Sequence, residues 1–240
     1  MGQKEAAWIN RMKAADGLST SLLLEEGLTK MGLHQDRILT LLNLYINEIE
    51  LFNPAYGLVK VKDRRELIVR HILDSLAPLG IIRNALENAF KRKTPAIADV
   101  GSGAGLPGIP LAICMGDADF TLIERMGRRA GFLRDALAVT GLPNVRVMEA
   151  EMEKIPLPEA NRFDLIVFRA FRPLDPTILK KLLKLLAPGG ALAAYKGRRQ
   201  SIEEEMARSP PAAWETIPWE ITPLEVPFLK EERNLLLIKP

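Results

Sequence analysis

No stretch limits the fold of this chain as tightly as AIADVGSGAGLPG, Ala96 to Gly108, where an apolar run closes on Asp99 and opens into glycines at 101, 103, 105 and 108. Glycine supplies positive φ and lacks the Cβ that would hold a backbone away from a ligand, and a helix starting beyond the turn offers free N–H groups. The stretch reads as a strand, a clamp for a polar ligand and a helix. After Thr94-Pro95 the rhythm repeats, with strands expected near 96–101, 119–124, 144–149, 163–169 and 190–196. A helix over 126–140 carries Met126, Ala130, Leu133 and Leu137 on one face and stops at Gly141; Asp175-Pro176 opens another as N-cap and first helical residue, and Pro188-Gly189-Gly190 ends it. Short apolar strands alternating with helices predict an α/β fold: a mostly parallel sheet covered on both faces, with its ligand crevice at the carboxyl ends of the strands.

Both ends of the chain depart from this rhythm. Strands expected near 213–224 and 233–239 are joined by a link too short for a crossover helix, so they should pair antiparallel and bring the sheet to seven strands. Before residue 94 the pattern is helical. Ile38, Leu41, Leu42, Tyr45, Ile46 and Ile49 predict an amphipathic helix over 34–51, broken by Asn53-Pro54. A second helix should start at Asp63, with Glu66 at the capping-box position, and fade before Pro78 and Gly80; a third should cover about 81–92. The chain therefore divides into a helical region, 1–93, packed on a core domain, 94–240. The first 33 residues read as a flexible or RNA-touching extension.

Hydrophobic residues make up 48% of the 240 and charged ones 26%, the balance of a globular chain with one well-buried core. A single cysteine, Cys114, excludes an internal disulfide framework, and no run approaches the roughly 18 apolar residues of a membrane span. A cytoplasmic protein without a membrane partner is expected, as a monomer and without a metal. The net charge is only +3, but the basic residues cluster: Lys60, Lys62, Arg64, Arg65 and Arg70; Lys91, Arg92 and Lys93; Arg125, Arg128, Arg129 and Arg134; Lys196, Arg198 and Arg199. Taken singly these are solvated faces balanced by acids such as Glu203 to Glu205. Converging on one face, they would bind phosphates.

Two ligands fit the clamp. Gly103, Gly105 and Gly108 satisfy the dinucleotide pattern, with Glu124 as the acid about 20 residues on that holds a ribose, which would make the chain an NAD-dependent oxidoreductase. Alternatively Asp99 precedes the Gly101, Gly103, Gly105 turn as an acid does in S-adenosylmethionine-dependent methyltransferases, where it helps hold the amino-acid end of the cofactor. Glu124 then takes the ribose and offsets the sulfonium charge, and Met152 and Glu153, after the third strand, meet the adenine. At the end of the fourth strand, Phe168-Arg169-Ala170-Phe171-Arg172-Pro173 lacks the polar-proline-aromatic pattern of enzymes that methylate exocyclic amines, and Cys114 sits where a buried helix position is expected rather than a nucleophile. A ring nitrogen such as guanine N7 has a free lone pair and no proton to lose, so its methylation needs alignment and electrostatics rather than a base. Arg169 would bind the cofactor carboxylate or an acceptor phosphate.

With these residues assembled, the chain resembles the GidB-type family of 16S ribosomal RNA guanine-N7 methyltransferases from about residue 38 onward. The resemblance is carried by Arg70-His71-Ile72-Leu73-Asp74-Ser75, by Asp99 to Pro110, by Arg169-Ala170 and by Lys196-Gly197. It implies a Rossmann-like class I methyltransferase fold and S-adenosyl-L-methionine as cofactor, contacted by Gly101, Leu106, Met152, Glu153 and Arg169. It further implies a guanine in the decoding region (the 530 loop) of 16S ribosomal RNA, in the small subunit, as acceptor. Arg169, Lys196 and His71 are the catalytic candidates, with no general base expected. Two departures stand out: Gly57 follows Tyr56 where the family usually has asparagine, and Phe168 precedes Arg-Ala where a small polar residue is usual. A ribosome-assembly binding module without turnover is the alternative from another functional class.

Overall fold

The computed structural model describes residues 19–89, 94–155, 162–171, 174–208 and 217–240. Strands β1 (Ala96–Val100), β2 (Asp119–Glu124), β3 (Val145–Glu149), β4 (Phe163–Arg169), β5 (Leu186–Lys196), β6 (Trp219–Leu224) and β7 (Arg233–Ile238) form one sheet in the order β3-β2-β1-β4-β5-β7-β6. The first five run parallel; β7 inserts antiparallel between β5 and β6. This is the seven-stranded sheet with an antiparallel carboxyl-terminal pair expected from the sequence. The order reverses between β1 and β4, and there the carboxyl ends of the strands leave a crevice.

The helices are α1 (19–30), α2 (Asp36–Tyr56), α3 (Arg64–Leu67), α4 (Asp74–Leu76), α5 (Leu79–Ala89), α6 (Gly108–Cys114), α7 (Gly127–Thr140), α8 (Pro176–Leu185) and α9 (Arg199–Ala207), with a π-helical turn (Ile68–Leu73) between α3 and α4. Among the described residues, no helix is long and apolar enough to cross a membrane. Asp175 caps α8 by accepting the N–H groups of Thr177 and Ile178, with Pro176 behind it, and Gly141 closes α7 in the left-handed conformation. Asp63 caps α3 through the Glu66 N–H, but the Glu66 carboxylate accepts from Lys62 N rather than from Asp63, so the capping box is displaced by one residue.

Several expectations are corrected. Helix α2 is not broken at Asn53-Pro54. Pro54 lies in its last turn, where one lost N–H costs little, and the helix ends at Gly57, whose φ of 58° no β-branched residue would hold. Asparagine also tolerates this left-handed conformation, which accounts physically for the exchange at that position. The third helix covers Leu79–Ala89 and includes Gly80; Lys91, Arg92 and Lys93 lie outside the described residues. Strand β5 starts at Leu186 rather than 190, because a register shift against β4 absorbs Gly189 at φ 79° and lets Gly190 pass close to the Phe163 carbonyl. Met126 is the exposed N-cap of α7 and not part of its buried face. Residues 19–33 do not dangle: Leu24 and Leu28 of α1 are fully buried, in one apolar cluster with Ile46 of α2, Ile72, Ile109 of α6 and Phe132 of α7. Residues 213–216, the first part of the expected sixth strand, fall outside the described residues.

Candidate functional site

The glycine turn is built from the inside. Asp99, 1% exposed at the end of β1, accepts from the Ser102 hydroxyl (2.7 Å) and from Gly108 N (3.0 Å) through one carboxylate oxygen, so it clamps both ends of the turn. A side chain at 108 would strike that carboxylate. Gly101, Gly103 and Gly105 all take positive φ, at 71°, 60° and 90°, and the Leu106-Pro107 peptide is cis. Glu124 at the end of β2, 4% exposed, accepts from Gly103 N (3.0 Å) and from Met126 N (2.9 Å).

These bonds change one expectation. The N–H groups of Gly101 and Ser102 go to the Ile123 carbonyl, those of Gly105 and Leu106 to Ser102, Gly108 to Asp99 and Ile109 to Gly105. The turn and the start of α6 therefore do not offer a fan of free donors. A pyrophosphate needs such donors; here the ligand meets carboxylates. Burial pushes the Asp99 carboxyl up to about 6, against the hydrogen bonds that favour its charge, and its second oxygen has no partner among the described residues. A positively charged ligand relieves that situation and an anionic one aggravates it.

Two cavities adjoin the turn. The smaller, about 210 Å³, is lined by Glu124, Arg125, Met126, Met152 and Glu153. The larger, about 960 Å³, is lined by Gly103, Leu106, His71, Arg169 and Lys196 among others, with Leu58, Val59 and Phe168 on its apolar side. Gly101, Arg129, Ala170 and Phe171 line both. Of the residues singled out for the cofactor, Gly101, Gly103, Leu106, Glu124, Met152, Glu153 and Arg169 thus share one continuous crevice, and Asp99 stands behind it as the brace. Phe168 is buried and meets Phe171 edge-on at 6.3 Å.

Arg169 is anchored on the π turn. Its guanidinium donates to Asp74 Oδ2 (3.0 Å) and to the Arg70 carbonyl (3.3 Å), and lies 2.9 Å from His71 Nδ1. Turns of this kind frequently mark functional sites. Asp74, 4% exposed, also pairs with Arg233 Nε at 3.1 Å. Burial, then the charges of Arg169, Arg70 and Arg233, hold the His71 pKa down to about 3. The ring is therefore neutral. Its Nδ1 accepts from Arg169, an obligatory donor, so the proton resides on Nε2. Lys196 is neutralised by both oxygens of Glu205, at 2.8 and 2.7 Å. Tyr45 and Tyr195, both buried, donate to the carbonyls of Ala104 and Ser75, and burial holds both phenols well above 10. Cys114 is half-buried at the end of α6 with its thiol pushed up to about 12 by burial. Sequence reasoning did not single out Asp74, Arg233, Tyr195 or Glu205; Asp74 was within reach, since it sits in the Arg-His-Ile-Leu-Asp-Ser run.

The basic groups sort by partner. Arg64 pairs with Glu50, Arg70 with Glu66 and Glu231, Arg134 with Glu149 and Arg199 with Glu203, while Arg128 lies over the Tyr56 ring. Yet Arg70, Arg129, Lys196, Arg208 and Arg233 all reach the larger cavity, so one member from each of three of the four sequence clusters meets there. Arg172 and Pro173 lie outside the described residues.

A family model described as GidB, rRNA small subunit methyltransferase G, matches residues 38–236. The chain is 40% identical to ribosomal RNA small subunit methyltransferase G of Treponema denticola, over 96% of this chain and 98% of that protein. It is 41% identical to the protein of that name from Treponema pallidum, over 82% of this chain and 83% of the relative. Among solved structures, an S-adenosylmethionine-dependent methyltransferase from Aquifex aeolicus superposes with a TM-score of 0.51 at 20% identity, covering 81% of this chain and 98% of that one, a likeness of fold.

Proposed function

The chain belongs to the GidB family of rRNA small subunit methyltransferases, and from that premise we propose that it methylates N7 of a guanine in the 530 loop of 16S ribosomal RNA with S-adenosylmethionine. One observation carries the reading: a carboxylate-backed glycine turn, most of its N–H groups spent internally, opens on a cavity where His71 is held neutral against Arg169 and Lys196 is paired with Glu205. The Asp99 carboxylate buried behind the turn acts by its charge, and the Glu124 carboxylate, with a lone pair left on each oxygen, faces the crevice; the pair fits a cationic nucleoside and not a dinucleotide.

When bound, S-adenosylmethionine supplies an activated methyl group on a sulfonium. Gly101, Gly103 and Leu106 would hold its methionine end, with Asp99 bracing the turn behind them, Glu124 would take the ribose, and Met152 and Glu153 the adenine. Arg169, fixed on Asp74, Arg70 and His71, keeps donors in hand for the cofactor carboxylate. The acceptor ring nitrogen needs no deprotonation, consistent with a neutral His71 and a Lys196 held as its ion pair. Catalysis is then alignment in a fixed field.

We read the described helices before residue 94, residues 19–89, as the brace of the domain that follows. Tyr45 of α2 reaches the Ala104 carbonyl of the turn at 2.6 Å, fully buried. Tyr45→Phe strands that carbonyl and should cost about 1–2 kcal/mol of stability in urea unfolding. Affinity for S-adenosylmethionine should fall several-fold with it; unchanged affinity would reduce α2 to scaffolding.

The activity is tested with methyl-labelled S-adenosylmethionine and small subunits from cells lacking the modification. Label should enter one guanine and make that nucleotide lose its base on alkaline treatment, so that an amine then cleaves the chain there, as N7 substitution does. Because Arg129 and Arg208 face the crevice, the rate constant at low subunit concentration should drop roughly 7-fold between 50 and 200 mM salt, the slope for about two phosphate contacts on single strands. Cofactor binding without RNA labelling would favour an assembly module, and NAD binding without S-adenosylmethionine binding an oxidoreductase.

A further inference from the structure

Resting on the reading above, we propose that His71 is the residue that selects guanine, its Nε2–H donating to O6 of the base while N7 stays free for the methyl group. The geometry leaves this ring only one role in the cavity. Nδ1 faces Arg169 at 2.9 Å and must accept, so Nε2 bears the hydrogen. Nε2 has no partner among the described residues, and His71 lines the 960 Å³ cavity together with Arg169 and Phe168.

The chemistry of the base edge says why such a donor is needed. Guanine presents two acceptors side by side, O6 and N7, where adenine presents N7 and an amino group. An arginine fork, the usual reader of guanine, occupies both acceptors and would block the lone pair that attacks. A single donor on O6 distinguishes the purines and leaves N7 open. Adenine would bring its amino hydrogens against Nε2–H, donor against donor.

Charge points the same way. The ring gains a positive charge as N7 is methylated, so a neutral donor is better placed beside it than a cation. The imidazole stays neutral, and the cations around it are matched: Arg169 and Arg233 by Asp74, Arg70 by Glu66 and Glu231. Arg70 and Lys196 line the same cavity, each already bound to carboxylate, and neither is a neutral donor.

The test pairs the side chain with the atom it should read. Small subunits are reassembled from RNA carrying guanine or 2-aminopurine, which keeps N7 and lacks O6, at the mapped position. The native protein should methylate the guanine subunits roughly 10- to 100-fold faster, the worth of one buried hydrogen bond to an otherwise unpaired group. In His71→Ala the guanine rate should fall to near the 2-aminopurine rate, and His71→Gln, which restores an amide donor, should recover part of the difference. If His71→Ala slows both substrates equally and keeps the preference, the ring only supports Arg169 and the proposal falls. Should that variant not fold, the native protein still decides: equal rates on guanine and 2-aminopurine mean that O6 is not read. Label found away from N7 on native subunits overturns the reaction and this assignment together, whereas N7 labelling without an O6 preference overturns the assignment alone.

Discussion

Replacing Asp74 by alanine should lower the stability of the folded chain by about 3–5 kcal/mol, the range for breaking a buried ion pair from one side. Asp74 is a single carboxylate serving two guanidinium groups, Arg169 at 3.0 Å and Arg233 at 3.1 Å, and it is only 4% exposed. Burial raises its pKa and the two arginines pull it back, the balance expected of an acid kept charged only by its partners. It also ties three parts of the chain, since it follows the π turn while Arg169 ends β4 and Arg233 begins β7. Without it two half-hidden cations repel across the wall of the larger cavity. Urea unfolding measures the loss; a decrease under about 1 kcal/mol would mean that both arginines turn out to water. The companion variant Asp74→Leu with Arg169→Met and Arg233→Met should regain most of the stability, because apolar groups remove the desolvation cost along with the charges. It should not regain methyl transfer. Stability and activity would then be separated in one network, the arginines being retained for what they hold.

Gly101→Ala should reduce affinity for S-adenosylmethionine by at least about 100-fold, roughly 3 kcal/mol, while costing the fold only about 1–2 kcal/mol for the positive φ of 71°. The larger effect comes from obstruction. A Cβ at 101 would stand 2.4 Å from Phe171 Cδ2 and 3.0 Å from its Cε2, so the ring must move, and Phe171 lines both cavities. Gly103→Ala supplies the control. Its φ of 60° carries the same strain, but its Cβ would meet nothing closer than the Gly101 carbonyl at 3.8 Å. Titration calorimetry should show a loss of about 10-fold or less there, and Gly101→Ala combined with Phe171→Ala should recover part of the binding. Equal losses in the two single variants would assign the whole effect to backbone strain.

The comparison of Asp99 with Asp74 shows what could be read in advance. Asp99 announces itself because its partners lie within nine residues, Ser102 and Gly108, in a turn whose glycines fix the path. Its place beside the ligand was legible, though its side chain faces the turn rather than the crevice. Asp74 is nearly as buried and as consequential, but its partners Arg169 and Arg233 are far along the chain, and although Arg169 stood out at the end of its strand, nothing local paired either arginine with Asp74. The basic clusters teach the same lesson: that they would bind phosphates if they converged on one face could be read in advance, while the pairing of Lys196 with Glu205 and of Arg70 with Glu66 and Glu231 was decided by neighbours. The donors expected to be free at the start of α6 are taken up by backbone carbonyls of the turn and by the Asp99 carboxylate.

The sequence by itself determined the alternation of strand, glycine turn and helix, the antiparallel carboxyl-terminal pair, the caps at Asp175 and Gly141, and the chemistry of a carboxylate-led clamp. These depend on periodicity, φ preference and hydrogen bonds spanning a few residues, which any segment carries with it. Only the tertiary structure decided which cations are paired, which nitrogen of His71 is engaged by Arg169 and which donors of the turn are already spent. Those depend on desolvation and on partners supplied by other segments, and both exist only once the sheet and the helices have closed around the site.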